Sequence, residues 1–276
     1  MIHEDLADRR CGSARFSVSD SAERTPTLTA WCFRALGALA KRFVDVTLSL
    51  ALLLLLVPLI LVIAVAIKVE SRGPLFYRAV RVGRFGKPLA VLKFRKMFDG
   101  ARGSALTISR DDRLTRIGRF LAEYKLDEIP QLWNVLRGQM SLVGPRPEDR
   151  RFVDLYSAEY SAEILQVRPG ITGLTQLAFA HEGRLLATED RERDYRERLL
   201  PRKIDLDRLY VHRRSLLMDT RVIAWTTVAV ALGRDIAVNR ETGGLAIRRR
   251  PAEATMLAAL VPQPVEESVD APPVLS

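Results

Sequence analysis

The sequence has few of the residues on which disulfide scaffolds, zinc sites and histidine catalysis depend. Of 276 residues only two are cysteine, Cys11 and Cys32, and three are histidine. Two cysteines without a surrounding framework indicate a reducing compartment rather than a disulfide scaffold. The histidines, His3, His181 and His212, are far apart in the chain and match no zinc-ligand or triad spacing. Histidine-based chemistry is therefore not favoured.

Negative charge is also scarce. The chain has 43 Lys and Arg against 33 Asp and Glu, a formal net charge of +10. Between Lys68 and Arg151 there are 19 basic and 9 acidic residues, so this segment carries the whole excess. Such a field attracts phosphates on lipids, nucleotides or nucleic acid, although a solvated basic face explains the charge equally well. Since helix-turn-helix, zinc and aromatic stacking signatures are all missing, we expect no nucleic-acid partner.

One long stretch, VTLSLALLLLLVPLILVIAVAI from Val46 to Ile67, has no charged residue. A helix rises about 1.5 Å per residue, so this stretch is long enough to cross a hydrocarbon core of about 30 Å. The residues that precede it, and the lack of a small-residue cleavage site after it, are unlike a removable signal peptide. The stretch therefore predicts a membrane segment.

The flanks of this segment indicate how it meets the membrane. The positive-inside tendency favours the cytoplasmic side for basic ends, and a simple span places only one end there. Pro58, near the middle, removes a backbone donor and favours a kink. These features favour a re-entrant helix, although membrane helices tolerate proline and an ordinary span fits as well. The basic flanking residues are Arg34, Lys41 and Arg42 before the segment, and Lys68, Arg72, Arg78 and Arg81 after it.

Elsewhere the residue pattern predicts helices and one β-hairpin. Two β-favouring runs between Pro74 and Phe94 surround a glycine-containing turn and predict the hairpin. We expect an α+β protein, predominantly helical with a small β-hairpin, associated with a membrane through one N-terminal re-entrant helix. The predicted helices cover Leu114 to Tyr124, Pro130 to Leu136, a stripe formed by Phe152, Tyr156, Tyr160 and Ile164, and Pro201 to Leu232.

Composition divides the chain into four predicted segments. Residues 1–35 are polar and aperiodic, which is typical of a disordered arm. Residues 36–70 form the membrane helix and residues 71–235 the cytoplasmic catalytic domain. Residues 236–276, which end in a proline-rich stretch, form a flexible tail.

Residues 125–148, KLDEIPQLWNVLRGQMSLVGPRPE, place the carboxylates Asp127 and Glu128 side by side just before Pro130. Proline suits the first turn of a helix, where unpaired amides and the helix dipole stabilise negative charge. Capping of this helix explains the pair without any chemistry. A carboxylate is also a nucleophile toward a neutralised phosphate, and Mg²⁺ bridges carboxylate and phosphate oxygens.

Several cations favour the chemical interpretation. Arg146, between two prolines, presents a rigid guanidinium to a phosphate, and Lys93 and Arg95 beside the hairpin add positive charge. Together these residues indicate phosphoryl transfer next to a membrane. The alternative is a non-catalytic membrane-surface scaffold that binds anionic lipid or glycan-assembly partners, which does not require adjacent carboxylates. A two-carboxylate glycosidase fits poorly, because its acid and base face each other across a sugar.

The stretch 125–148 resembles the signature of the bacterial sugar transferases, monotopic phosphoglycosyl transferases that prime glycan assembly on polyprenol phosphate. The resemblance covers about Lys41 to Leu232. Two departures stand out: Val57 and Ala122 occupy positions where the family commonly has serine and arginine. Further similar segments are GPLFY, RVGRFGKPLAVLKFRKM, TRIGRFL, VRPGITGLTQL and LLPRKIDLDRLYVHRRSLLMDTR.

The resemblance implies a reaction and roles for particular residues. Asp127 would attack the sugar-linked phosphate of a UDP-sugar and release UMP, with Glu128 assisting and Mg²⁺ bound at Asp127. Arg146, and as a weaker candidate Arg168, would bind substrate phosphate. Polyprenol phosphate, in bacteria undecaprenyl phosphate, would then take the phospho-sugar from Asp127. The product would be a polyprenyl-diphosphate sugar.

The resemblance also implies a cellular setting. It places the chain at the bacterial cytoplasmic (inner) membrane, with a re-entrant segment and the catalytic domain on the cytoplasmic face. The implied partners are a UDP-sugar, polyprenol phosphate and an anionic phospholipid membrane, and a homodimer stays open. The implied process is the start of exopolysaccharide, O-antigen or related glycan assembly, by a compact catalytic form of the family.

Overall fold

A computed structural model describes residues 28–101, 111–180 and 191–248 of the chain. The chain divides into two units, residues 1–39 and 40–276, and every side-chain contact below lies within the second. The first helix, α1 (Leu28–Leu55), begins well before the predicted end of the disordered arm. The predicted disordered arm thus overlaps this helix at residues 28–35, and residues 1–27 lie outside the described part.

The apolar segment forms two helices joined by a bend. After α1 the chain continues as α2 (Val57–Glu70), whose axis is turned by 60°. The break lies at Leu56, and Pro58 occupies the first turn of α2, where its missing N–H costs least. The predicted kink is confirmed.

Length and composition set a limit on how this segment could meet a bilayer. Within the described ranges, no helix by itself is long and apolar enough to cross a membrane. The bent pair Ala35–Leu55 and Val57–Glu70 meets the requirement together, as a broken span or as a re-entrant loop. Re-entry therefore stays a prediction.

The predicted hairpin is confirmed. Strands β1 (Phe76–Val82) and β2 (Pro88–Phe94) pair in antiparallel register, from Phe76 opposite Phe94 to Val82 opposite Pro88. A 3₁₀ turn, Arg84–Gly86, connects them. The inner end of the hairpin packs on α2, because Phe94 is buried with Ile63 and Ile67.

Two helices that flank the acidic pair match their predicted positions. Helix α3 (Arg116–Glu123) is capped by Thr115, whose hydroxyl accepts the Gly118 N–H. The Glu70 carboxylate, at the end of α2, also accepts the N–H groups of Arg116 and Ile117. The next helix, α4 (Gln131–Leu136), follows the acidic pair. The end of α2 and the start of α3 are thus joined by hydrogen bonds.

A second sheet, absent from the prediction, joins two distant segments. Strand β3 (Ser141–Val143) pairs in parallel with β4 (Gly170–Thr172). Just beyond β3, the backbones of Gly144 and Gly170 approach so closely that a Cβ on either would collide with the other. Glycine is therefore required where these two motifs meet.

The aromatic stripe lies on two helices rather than one. Helix α5 (Arg150–Val153) ends before Ser157, whose hydroxyl caps α6 (Ala158–Ile164) by accepting the Tyr160 N–H. A capping serine begins a new helix, so the prediction of one helix is wrong. The stripe nevertheless packs as one cluster around Tyr195.

The long predicted C-terminal helix is also interrupted. A short helix α7 (Leu174–Ala178) precedes this region. Helix α9 (Leu200–Arg213) stops before Ser215, whose hydroxyl accepts the Met218 N–H and starts α10 (Leu216–Leu232). The prediction of one helix from Pro201 to Leu232 is therefore wrong. In order, the elements are α8 (Arg191–Asp194), a π-helical turn (Tyr195–Leu199), α9 (Leu200–Arg213) and α10 (Leu216–Leu232).

The first part of the predicted flexible tail is ordered. Strands β5 (Ile236–Val238) and β6 (Leu245–Ile247) form an antiparallel hairpin, and Ile236 is buried in the main core. The predicted tail, residues 236–276, thus contains a hairpin up to Ile247, and residues 249–276 lie outside the described part. The fold is predominantly helical, as expected, but its described residues contain three two-stranded sheets instead of one hairpin.

Candidate active site

The acidic pair lies on a tight turn between α3 and α4. Lys125 adopts a left-handed backbone conformation (φ 59°), which ends the helical run and redirects the chain into a 3₁₀ turn, Leu126–Glu128. Pro130 then caps α4. We call residues 125–128 the acidic turn. It precedes α4, as predicted, and Asp127 is only 2% exposed.

Two lysines, one on β2 and one two residues beyond its end, face the acidic turn. The Nζ atom of Lys93, on β2, lies 2.7 Å from Oε1 of Glu128. The Nζ atom of Lys96 lies 3.4 Å from Oδ2 of Asp127. Each carboxylate therefore has its own lysine partner. Lys93 was a predicted site residue, whereas sequence reasoning missed Lys96.

Arg95 does not join this cluster. It is 6% exposed, and Nη2 donates to Ser71 O at 2.8 Å and to Ser71 Oγ at 2.9 Å, while Nη1 donates to Arg72 O. Strand alternation would place Arg95 on the same face as Lys93, but β2 ends at Phe94 and the alternation stops there. Arg95 therefore holds the end of α2, and its role in phosphate binding stays a prediction.

Opposing effects act on the ionisation of Glu128. Burial by itself would raise its pKa, but Lys93, Arg146 and Lys125 attract the negative charge and hold the pKa well below its usual range. Glu128 is therefore ionised at neutral pH. The effect of Arg146 also shows that the structure brings this predicted residue into the electrostatic environment of the acidic turn.

The buried amide of Asn134 fixes the hairpin relative to the acidic turn. From α4, its Oδ1 accepts the Leu92 N–H at 3.0 Å, and its Nδ2 donates to Ala90 O at 2.9 Å. The side chain thus takes the place of a neighbouring strand along β2. It holds Lys93 opposite Glu128. An asparagine inside a short helix carries no local signal for this role.

A second charged cluster, also missed, lies behind Arg146. Lys203, 1% exposed, donates to Tyr195 Oη at 2.9 Å and to Glu148 Oε1 at 3.3 Å. Asp207 accepts the Thr175 hydroxyl at 2.6 Å and the backbone N–H of Arg146. We call these residues the Lys203 network. The four-residue spacing of Lys203 and Asp207 places both on one helix face, the only local signal for this cluster.

Arg168 lies beyond the opposite end of α4. Its Nε donates to Gly138 O at 2.8 Å, past the C-terminus of that helix. The acidic turn precedes its N-terminus, and a helix of this length measures roughly 9 Å. The structure therefore groups Arg168 with the end of α4 rather than with Asp127 and Glu128.

Comparison with known proteins identifies the family of this chain. The bacterial sugar transferase family model matches residues 36–233. The chain belongs to the bacterial sugar transferase family. The resemblance predicted from the motifs is confirmed.

Three relatives illustrate the range of this family. The chain is 42% identical over 193 residues to a UDP-glucose:undecaprenyl-phosphate glucose-1-phosphate transferase of Caulobacter vibrioides, covering 68% of each chain. A protein of the same name from Klebsiella pneumoniae is 38% identical over 190 residues, which are 67% of this chain and 39% of that one. The exopolysaccharide production protein ExoY of Sinorhizobium fredii is 33% identical over 219 residues, with 73% and 89% covered.

The acidic turn offers oxygen ligands for Mg²⁺, but too few to hold the ion without other ligands. Within the described residues, no group of three or more histidine, cysteine or acidic side chains could hold a metal ion. Mg²⁺ commonly binds one or two carboxylates and completes its shell with water and substrate phosphate. Asp127 and Glu128 supply such oxygen donors on one turn. The acidic turn thus fits a metal shared with a phosphorylated substrate, and Mg²⁺ at Asp127 stays a prediction.

Proposed function

We propose that this chain transfers a sugar phosphate from a UDP-sugar to undecaprenyl phosphate, forming a polyprenyl-diphosphate sugar and UMP. The relatives from Caulobacter and Klebsiella carry names that specify this class of reaction with UDP-glucose. The observation that carries the proposal is the acidic turn, where two carboxylates face Lys93, Lys96 and Arg146. Such a cluster of cations neutralises an anionic donor that approaches an anionic nucleophile.

The proposed chemistry has two balanced steps. An Asp127 carboxylate oxygen attacks the sugar-linked phosphorus of the donor, and the bond from that phosphorus to the bridging oxygen breaks, releasing UMP. A phosphate oxygen of the acceptor then attacks the same phosphorus and frees the carboxylate. Mg²⁺, held by Asp127 and Glu128, would neutralise diphosphate charge. Ionised Glu128 also provides a proton acceptor next to the reacting groups.

The burial of Asp127 has a consequence for the first step. With only 2% of its surface exposed, the carboxylate must be uncovered before a donor phosphorus reaches it. Lys96 is its cation partner and also a natural ligand for phosphate. We therefore expect the donor diphosphate to compete with Asp127 for Lys96, which would release the nucleophile as the substrate binds.

The proposed acceptor is a lipid, so the site must lie close to a membrane. We propose that the bent pair α1–α2 anchors the domain as a re-entrant element at the cytoplasmic face of the inner membrane. The bend at Leu56 and the basic flanks support this placement. The Glu70 contacts with the start of α3 would then hold the acidic turn at a set distance from the bilayer.

The test is UMP release by detergent-purified protein given Mg²⁺, undecaprenyl phosphate and a panel of UDP-sugars. Asp127→Asn should lower the rate by at least about 10⁴-fold, because the amide is not a nucleophile. A second measurement omits the acceptor and records the intact protein mass, which should rise by one phospho-sugar in the wild type only.

Each result has a distinct meaning. Wild-type rates in folded Asp127→Asn protein would exclude the covalent step. Activity that disappears in the variant without a trapped adduct would favour direct transfer between the substrates. No UMP release with any donor, from folded protein, would favour the non-catalytic membrane-surface scaffold.

A further inference from the structure

Two arginines meet at the C-terminal end of α4, away from the acidic turn, and a third lies close enough to one of them for their charges to repel. Arg42 Nη2 donates to Leu136 O at 3.0 Å, and Arg168 Nε donates to Gly138 O at 2.8 Å. The third, Arg84 at the tip of the first hairpin, donates from Nε to Gln166 O at 2.7 Å. Each guanidinium is thus tethered to the backbone by one edge. We call these three residues the arginine cluster.

The cluster brings like charges together. Burial, and then the neighbouring charges of Arg168 and Arg214, lower the pKa of Arg84. Arg42 and Arg168 also repel each other. Within the described ranges, none of the three cluster arginines forms an ion pair with a carboxylate within 4.0 Å. Arg42 and Arg168 each satisfy one carbonyl at or just beyond the end of α4, but these hydrogen bonds leave the repulsion between the positive charges in place.

One donor in the cluster is unsatisfied. Arg42 Nη1 is buried and has no hydrogen-bond partner within the described part of the chain. Asp45, the carboxylate nearest to Arg42 in sequence, accepts instead from Ser141 Oγ at 2.8 Å and the Leu142 N–H at 3.1 Å. A buried guanidinium donor without an acceptor is costly, and an anion between the arginines would relieve both this cost and the repulsion.

The surroundings of the cluster indicate a lipid rather than a soluble anion. Phe43, next to Arg42, is 69% exposed, and Phe85, next to Arg84, is 62% exposed. The Arg84 guanidinium lies 4.4 Å from the centre of the Phe85 ring. Arginine stems and aromatic rings with exposed apolar surface are typical of the headgroup region of a bilayer. Arg42 also lies four residues before the uncharged segment that starts at Val46.

We propose that Arg42, Arg84 and Arg168 form a binding site for the phosphate group of an anionic phospholipid. The site is separate from the acidic turn, at the other end of α4. It would fix the position of the first hairpin, which carries Lys93, relative to the bilayer surface. The inference rests on the membrane association proposed above but not on sugar-phosphate transfer, since a chain that releases no UMP would still bind the lipid.

The experiment titrates full-length protein in neutral detergent with short-chain phosphatidylglycerol. Isothermal titration calorimetry measures the dissociation constant. Arg84→Gln/Arg168→Gln should weaken binding roughly 30-fold, because each arginine near a lipid phosphate contributes about a factor of five. The matched control is Arg150→Gln/Arg193→Gln, which removes the same charge from two exposed residues in helical pairs with Asp154 and Glu197. The control should change the affinity no more than about twofold.

Additional variants and ligands identify what binds and separate a loss of binding from a folding defect. Arg84→Lys/Arg168→Lys keeps the charge and should show a smaller loss, which separates local binding from a folding defect if the glutamine variant unfolds at lower temperature. Equal losses in the control pair, or equal affinity for phosphatidylcholine, would overturn the proposal. Inorganic phosphate that binds as tightly as the lipid would reassign the site to a free anion. UDP binding lost together with lipid binding would assign the arginines to the donor site.

Discussion

The acidic turn and the Lys203 network bury the same kinds of residue, yet their carboxyl groups differ in ionisation. Around Glu128, the charges of Lys93, Arg146 and Lys125 outweigh burial and lower the pKa. Around Asp207, burial dominates and the neighbouring carboxylate of Glu148 acts in the same direction, raising the pKa to about 7. The number of cations that face a carboxyl group, rather than burial alone, decides whether it stays charged.

This difference matches what each cluster has to do. A nucleophile or metal ligand must be an anion, so the proposed catalytic carboxylates need several cations. A carboxyl group that only holds a loop has a smaller desolvation penalty when it carries a proton. Arg146 joins the two clusters, since its charge acts on Glu128 while its backbone N–H bonds to Asp207. The Lys203 network therefore positions the loop that carries Arg146.

The largest effect is expected from a substitution of Arg146, the residue that joins the acidic turn to the Lys203 network. Arg146→Lys keeps the positive charge but removes the planar fork that binds two phosphate oxygens at once. We expect kcat/KM for UMP release to fall roughly 100-fold, as for the loss of one transition-state donor. A lysine variant that is as fast as the wild type would show that charge alone is required at this position.

A smaller effect is expected from Lys93. In Lys93→Gln, burial is no longer opposed by its closest cation, so the pKa of Glu128 rises. The acidic limb of the pH–rate profile should then move to higher pH by about one unit or more. Lys87→Gln, an exposed change on the same hairpin, is the control. If the profiles of both variants coincide with that of the wild type, ionisation of Glu128 does not control the rate.

The smallest effect concerns stability. The folded chain keeps the Asp207 proton until about pH 7, whereas the ordinary value for an aspartate is 3.8. This carboxyl group therefore favours folding fully below about pH 4, and its contribution is lost as the pH rises to about 7.

The variant Asp207→Asn resembles the protonated side chain and does not titrate. Between pH 5 and pH 8 the wild type should lose about 2–3 kcal/mol more stability than the variant, measured by thermal unfolding in detergent. The histidines titrate in the same pH range in both proteins, so their contribution to the free energy of unfolding cancels when the two pH dependences are subtracted. Parallel pH dependences would show that Asp207 is already ionised in the folded state.

The correct predictions depended on features that act over a few residues. An uncharged apolar run with one proline specified a helical segment with a bend, since proline removes a donor within the same turn. Glycines between two β-favouring runs specified the first hairpin. The motif around Asp127 and Glu128 was long enough to indicate the family.

The errors arose where partners are far apart in sequence. The sequence prediction named Lys93 and Arg95 beside the hairpin and missed Lys96, because nothing local shows which side chain lies next to Asp127. The apolar periodicity of the C-terminal helices continued through Ser215, although its hydroxyl caps a new helix there. Periodicity reports which residues are apolar, and it does not report where a capping hydrogen bond interrupts the helix.

Sequence patterns alone were thus enough to predict the apolar segment and its bend, the first hairpin, the acidic pair and the family. The cations that face each carboxylate became clear only in the folded chain, because Lys93 and Glu128 are 35 residues apart and Lys203 and Glu148 are 55 apart. The same holds for the meeting of Arg168 with Arg42 at the far end of α4. Ionisation depends on distances in space, and those distances exist only once the chain has folded.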